Sequence, residues 1–272
     1  MIFSSINFLI FWFFSLILHR FVFFNTIGIA GIVGIIFYSF QGISNLAALL
    51  SVATTCYVFC RVRKYFILFS LLLFTPLFLF KYLEIISFFQ MPITEFMIVN
   101  FINAPVPPGL SFATFSAFAL LVLCKNFDEN VSSLKTITGY LFFFPQLIAG
   151  PIVMPRFLIP QLRKFAPVKI DNILKGVFIF SIGFALKAIF ADSIALYVDL
   201  IFSNISNSNF QDIIIATLLF SQQIFFDFNG YTIMAIGIAY SFGISLPENF
   251  NAPYLSTSIS DFWKRWHMTL QM

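Results

Sequence analysis

Phe21-Val-Phe-Phe-Asn-Thr-Ile-Gly-Ile-Ala-Gly-Ile-Val-Gly-Ile-Ile-Phe-Tyr-Ser-Phe40 runs for twenty residues without one charged side chain and closes on Gln41-Gly42. An apolar run of about 18 residues or more is long enough to cross the hydrocarbon layer of a bilayer as a helix. Water cannot satisfy peptide groups in that layer, so each N–H and C=O must pair within the protein, and helix is the expected element. A membrane β-barrel would show short segments alternating apolar and polar residues, whereas this run is continuous. The same pattern extends on both sides. Ile2 to Leu18 precedes it and ends at His19-Arg20; it lacks a basic leader and a small-residue cleavage site, so it reads as a span rather than a signal peptide. Leu46 to Cys60 follows, stopping at Arg61-Val-Arg-Lys64, and Tyr65 to Phe80 comes next. Further apolar runs cover Leu110 to Cys124, Val177 to Phe190, Ile213 to Phe226 and Met234 to Leu246. The expected fold class is therefore all-α: a polytopic integral membrane protein of about 8–10 membrane helices or re-entrant segments. No Ser- or Gly-rich linker divides the chain and no internal repeat is evident, so residues 1–272 are expected to form a single domain.

Composition agrees. Hydrophobic residues make up 60% of the chain and charged residues only 10%, against about 25% charged in ordinary soluble domains. Forty-two Phe side chains could not be hidden by a water-facing surface. A soluble globular domain is excluded. The net charge of +4 does not point to nucleic acid, because Lys and Arg collect in cytoplasmic loops of membrane proteins. By that rule the Arg61 to Lys64 cluster and His19-Arg20 face the cytoplasm, and the N-terminus and the turn from Gln41 to Asn45 lie outside. Arg156, Arg163, Lys164 and Lys169 form a second basic, cytoplasmic patch. Cys56, Cys60 and Cys124 read as small apolar core residues. No metal-ligand cluster, phosphate loop or nucleophile elbow is present.

Two stretches depart from plain spans. Gly139 to Met154 is apolar but interrupted by Pro145, Gly150 and Pro151, with Pro155 next. A Pro inside a helix removes a backbone hydrogen bond at a cost of about 3 kcal/mol, so this segment suits a broken or re-entrant element buried against protein. Near the C-terminus, Ser258-Ile-Ser-Asp261 fits a helix-capping box. The Phe262-Trp-Lys-Arg-Trp-His-Met268 that follows mixes aromatic and basic residues as an interfacial helix does. On such a helix Trp263 and His267 would share a face, and Asp261 could pair with Arg265.

Ionisable groups among apolar spans are costly and are candidates for function. Asp227 stands in the aromatic run Gln222-Gln-Ile-Phe-Phe-Asp-Phe-Asn-Gly-Tyr231, where it either lines the inside of the bundle or sits in an interfacial loop turned by Asn229-Gly230. Pro247-Glu-Asn-Phe-Asn-Ala-Pro-Tyr254 reads as an ordered connecting loop. His267 is either an interfacial anchor or a proton acceptor, since its ordinary pKa lies near neutrality. His19 reads as an anchor.

Several of these segments together resemble the membrane-bound O-acyltransferase family, in its alginate O-acetyltransferase-like bacterial branch. The resemblance is carried by Gln223-Ile-Phe-Phe-Asp-Phe-Asn-Gly-Tyr231, Met234-Ala-Ile-Gly237, Leu246-Pro-Glu-Asn-Phe-Asn-Ala-Pro-Tyr254 and Ser258-Ile-Ser-Asp-Phe-Trp-Lys-Arg-Trp-His-Met-Thr-Leu270, and upstream by Pro107-Pro-Gly-Leu-Ser-Phe112 and Phe144-Pro-Gln-Leu-Ile-Ala-Gly-Pro-Ile152. It implies a ring of membrane helices around a thin centre. The implied reaction passes an acyl group, acetyl in the nearest branch, from a cytoplasmic thioester of the acetyl-CoA or acyl carrier protein type toward a cell-envelope polymer. No bound cofactor is implied; the partners are the bilayer, the acyl donor and an extracytoplasmic acyltransferase, and the location is the bacterial cytoplasmic membrane. By resemblance His267 matches the first of two family histidines at the acyl tunnel, where it orients the thioester or assists proton transfer. Trp263, Arg265 and Trp266 would shape the tunnel, Glu248, Asn249 and Asn251 would brace the loop leading to it, and Asp227 and Tyr231 would face substrate.

The resemblance covers the N-terminal half to two-thirds of a family member, and the second family histidine belongs to a later segment. Ile233, Met154, Leu120 and Leu123 stand where relatives often carry polar residues. These departures leave a second expectation open, that of an inactive remnant or supporting subunit. Asp227 and the broken segment after Gly139 leave a third, a small-molecule transporter, although transporters often show paired broken helices and only one is evident here.

Overall fold

The computed structural model describes residues 3–21, 26–88, 106–126, 131–148, 150–164 and 168–271. Among them helices dominate and no strand forms, as an all-α polytopic membrane protein requires. The chain gathers into two compact units. One comprises chiefly 17–148 and 152–166, the other chiefly 2–16 and 167–272. Among the described residues three helical stretches are long and apolar enough to cross a bilayer: Asn45–Val62, Ile170–Phe202 and Phe210–Ser241. Four shorter apolar helices accompany them.

Helix α1 (Ile6–Phe21) contributes to both units; in the first it is followed by α2 (Thr26–Ser39), α3 (Ile43–Val62), α4 (Phe66–Phe88), α5 (Leu110–Lys125), α6 (Leu134–Leu141), α7 (Phe144–Leu147) and α8 (Pro155–Arg163). Glycines decide how α2 and α6 meet. A Cβ at Gly34 would lie 1.6 Å from the Phe142 carbonyl oxygen, and one at Gly139 would lie 2.3 Å from that of Ile27. Apolar surface drives no association between helices in lipid, so close backbone approach of this kind takes its place.

The Pro-broken stretch is buried, as its composition suggests. Residues 142–147 are all buried, and the freed backbone groups find side-chain partners. The Tyr140 hydroxyl donates to the Val153 carbonyl at 2.7 Å, and the Gln146 amide donates to the Tyr140 carbonyl at 2.7 Å. The chain reverses between α3 and α4 inside the basic cluster, with Arg63 and Tyr65 both left-handed (φ 55° and 58°).

The reading of all three cysteines as separate core residues needs correction. Cys60 and Cys124 form a disulfide with their Cα atoms 5.4 Å apart, tying the end of α3 to the end of α5, while Cys56 stays a buried thiol. Sixty-four residues separate the pair, so no local spacing could reveal it.

The second unit is built on a helical hairpin. Helix α9 (Ile170–Ala185) runs through one π-helical stretch, Leu186–Ala191, into α10 (Asp192–Phe202); after a turn, α11 (Phe210–Ser241) returns alongside. The two apolar runs Ile213 to Phe226 and Met234 to Leu246 are thus largely one 32-residue helix, and the Asn229-Gly230 turn signal is overridden. Gly230 serves packing instead. A Cβ at Gly183 would sit 2.6 Å from the Gly230 carbonyl oxygen, and one at Gly176 would sit 2.6 Å from that of Gly237. The antiparallel helices therefore touch backbone to backbone at two points, each helix contributing glycines seven residues apart. The N-terminal part of α1 packs on this hairpin: the Trp12 indole donates to Ser241 Oγ at 3.0 Å and its ring lies 5.0 Å from that of Phe180.

Candidate functional site

The C-terminal stretch folds as its capping box predicts, up to a point. Ser258 caps α12 (Ile259–Arg265), its hydroxyl accepting from the Asp261 N–H, and Asp261 pairs with Arg265 at 3.0 Å. The reciprocal arm of the box goes elsewhere, since Asp261 accepts from the Thr257 N–H at 3.3 Å. The helix then stops. Trp266 is extended and His267 is left-handed with φ 48°. Trp263 and His267 therefore do not share a helix face: Trp263 is 54% exposed while His267 is 9% exposed. The physical reason is a competing set of contacts from the loop between α11 and α12.

That loop grips the histidine segment from its other side. Phe250 and Trp266 form an isolated antiparallel bridge, and the Asn251 N–H donates to the Arg265 carbonyl at 2.9 Å. The Met268 N–H donates to the Asn249 carbonyl at 2.9 Å. The Asn249 side chain, 1% exposed, accepts from the Thr269 hydroxyl at 2.7 Å and the Thr269 N–H at 3.3 Å, and donates to Thr232 on α11 at 3.5 Å. Met268 and Thr269, after His267, are thereby fixed to Asn249 and through its amide to a long helix, while Arg265 and Trp266, before it, are fixed to Asn251 and Phe250 of the same loop. A bulky residue in the left-handed region costs of order 1–3 kcal/mol and persists only where its surroundings over-determine it. Such strain concentrates at working sites.

One aromatic ring packs on the imidazole and two more lie behind that ring. Phe228 of α11 lies 4.9 Å from the imidazole, Phe250 lies 5.2 Å from Phe228, and Trp266 lies 5.0 Å from Phe250. Phe228 stands close to the middle of α11, which is about 48 Å long at 1.5 Å per residue. His267 is thus held level with the middle of that helix. Burial pushes its imidazole below the ordinary histidine range, so it is neutral near pH 7 and can accept a proton. Replacing Asn249 by alanine should cost about 1–3 kcal/mol, the price of leaving the two buried Thr269 donors without that acceptor. The expected readout is a lowered thermal midpoint in detergent, and an unchanged midpoint would refute the clamp.

The other residues singled out by sequence fall into different places. Asn251 takes part through its backbone only, its side chain being exposed. Glu248 is exposed and makes no hydrogen bond or ion pair among the described residues, so it does not brace the loop. Arg265 is held by Asp261. Asp227 and Tyr231 lie in the body of α11 beside α9, where Asp227 meets Lys187 at 2.8 Å; the interfacial-loop reading of Asp227 is excluded. Lys187 also meets Asp192 at 2.6 Å and lies 5.6 Å over the Tyr231 ring. Sequence reasoning misses Lys187, Asp192 and Thr232. A signal for the first exists: one Lys inside the apolar run Val177 to Phe190. No cluster of three or more potential metal ligands occurs among the described residues.

Comparison with known proteins bears on this arrangement. The model of the membrane-bound O-acyltransferase (MBOAT) family matches residues 16–272. The chain is 45% identical over 133 residues to a peptidoglycan O-acetyltransferase of Helicobacter pylori, covering 48% of this chain and 25% of that protein. It is 34% identical over 181 residues to a probable alginate O-acetylase of Pseudomonas aeruginosa, covering 65% and 34% respectively. To a teichoic acid D-alanyltransferase of Bacillus subtilis it is 30% identical over 231 residues, covering 84% of this chain and 55% of the relative. The match therefore spans between a quarter and about half of the length of these relatives.

Proposed function

Because the chain belongs to the membrane-bound O-acyltransferase family, we propose that it carries the histidine-bearing part of an O-acyltransferase that moves an acyl group, most simply acetyl, from a cytoplasmic thioester toward a hydroxyl of a cell-envelope polymer. The observation that carries this reading is the way His267 is held: buried, left-handed, flanked by residues that Asn249 clamps, and packed on Phe228 near the middle of a 32-residue apolar helix. A hydroxyl attacking a thioester must lose its proton as the new ester bond forms and the thiolate leaves. A neutral imidazole within hydrogen-bond reach can take that proton. The apolar surround keeps out water that would otherwise hydrolyse the thioester. The relatives named as O-acetyltransferase and O-acetylase support the ester-forming reaction, and the one named as a D-alanyltransferase supports an envelope polymer as acceptor.

Charge placement supports an orientation in the cytoplasmic membrane. Lys169 and Lys175 flank the start of α9, whereas no Lys or Arg occurs between Lys187 and Lys264. By the positive-inside rule the start of α9 faces the cytoplasm and the α10–α11 turn faces outward. In this reading the donor arrives from the α9 side, and an extracytoplasmic acyltransferase takes over the acyl group.

The test is expression of the intact protein in a host that keeps an extracytoplasmic acyltransferase but lacks its own membrane-bound O-acyltransferase, followed by quantification of base-labile esters on the isolated envelope polymers. Esters above the empty-vector level are expected; their absence, with the protein present in the membrane, overturns the proposal. The sign of the pH dependence also follows. The working form is neutral His267, and its pKa is depressed, so transfer by isolated membranes should hold through neutrality. It should fall only as pH drops below the ordinary histidine value of about 6.5. A rate that rises through that window would contradict the proton-accepting role.

A further inference from the structure

Lys187 lies outside the histidine site, and the mechanism above makes no use of it. It nonetheless holds the most elaborate ionic contact among the described residues. Its ammonium reaches Asp227 at 2.8 Å and Asp192 at 2.6 Å, and its side chain is 17% exposed. The backbone around it is unusual too: the Asp192 N–H bonds back to the Lys187 carbonyl, five residues earlier, within the π-helical stretch Leu186–Ala191. Such insertions re-aim side chains and are frequent at functional sites.

The location of the pair gives it a task. Lys187 stands one turn beyond Gly183, and Asp227 one turn before Gly230, so the ion pair closes right beside the backbone contact of Gly183 with Gly230. Glycine contacts let helices approach closely but offer no interlocking side chains to resist rotation about the helix axis. A charge pair in a low-dielectric setting does resist it, because turning α11 would strand the Asp227 carboxylate and take from Lys187 one of its two partners. Rotation of α11 matters at His267. The residue after Asp227 is Phe228, which packs on the imidazole, and one turn later Thr232 receives Asn249, which holds Met268 and Thr269 directly after the histidine.

We infer that Lys187 is a positioning residue for His267: through Asp227 it sets the rotation of α11 and so the placement of Phe228 and Thr232 against the histidine segment. The inference deepens the functional reading above and rests on it for its kinetic arm only. Asp192 completes the ionic contact of Lys187 and is 56% exposed, so it orients the ammonium rather than reaching the site.

Two measurements test this. The first needs no activity. Phe225 and Tyr254 have ring centroids 5.5 Å apart and join α11 to the loop. In protein whose native cysteines are replaced, Phe225→Cys with Tyr254→Cys should be bridged by a short bis-maleimide. Bridging should be lost on adding Lys187→Met and kept on adding Lys187→Arg. Undiminished bridging in folded, monodisperse Lys187→Met protein overturns the inference, whatever the reaction proves to be. The second uses membranes containing the intact protein. Lys187→Met should lower kcat for acyl transfer about tenfold or more, as a displaced catalytic group does, with KM for the thioester unchanged and with Lys187→Arg close to wild type. A Lys187→Met protein of normal kcat also overturns the inference. Absence of transfer by the wild type would instead count against the functional reading and leave the cross-linking result to decide the positioning role.

Discussion

Replacing His267 with asparagine is expected to lower envelope ester formation by the intact protein by about 10²–10⁴-fold, the usual worth of a positioned general base. Asparagine is the informative replacement. His267 holds φ at 48°, and Asn is among the few non-glycine residues that accept the left-handed region readily. The turn, the bridge between Phe250 and Trp266 and the Asn249 clamp should therefore survive, while an imidazole able to take a proton is gone. An alanine at 267 should give a similar loss of transfer but adds a backbone penalty, so comparing the two separates chemistry from turn geometry. The measurement is base-labile ester per unit of membrane-inserted protein. Near-normal ester with His267→Asn would remove the histidine from the reaction and leave it a structural residue of the turn.

The second large effect is on folding. Gly183→Leu places a Cβ 2.6 Å from both the Gly230 carbonyl oxygen and the Met234 N–H nitrogen. These are backbone atoms of a helix and cannot swing aside as a flexible side chain could. The hairpin would have to separate, losing the close contact that holds helices together where lipid supplies no hydrophobic drive. A penalty of about 3 kcal/mol or more follows, at the upper end for overpacked sites. The expected outcome is loss of most monodisperse, protease-resistant protein after detergent extraction. Leu196→Ala, at a position 77% exposed, should leave extraction and resistance unchanged. A Gly183→Leu protein as stable as that control would show that α9 and α11 do not meet at the glycines.

Much of the site is legible in the sequence, and the part that is not has definable causes. His267, Asn249 and Trp266 stand out because their neighbours in the chain carry the family resemblance, and all three lie at the clamp. Trp263 would share the face of His267 only if the helix continued. It ends at Arg265, where bridging to the Asn249–Asn251 loop outcompetes another turn. Asp227 is recognisably out of place in an apolar run, but its partner is not evident, since Lys187 lies forty residues away on another helix. Thr232 looks like one more small residue of a span, because nothing local announces that Asn249 folds back to meet it.

The amino-acid sequence by itself determined that this is an all-α membrane protein, where most of its spans lie, that the stretch around Pro145 and Pro151 is broken, and that Ser258 starts a helix. Each of these rests on local causes: apolar run length, the missing proline N–H, a hydroxyl placed to cap three residues on. Only the tertiary structure decided that Ile213 to Leu246 is mostly one helix despite its Asn-Gly, that Cys60 finds Cys124, that Lys187 pairs with Asp227, and that His267 leaves the helix for a strained turn. In the first and last of these cases a local preference worth about 1 kcal/mol is overruled by contacts between residues far apart in the chain; in the other two no local preference bears on the pairing, and a one-dimensional pattern cannot weigh a contact whose second partner it has not located.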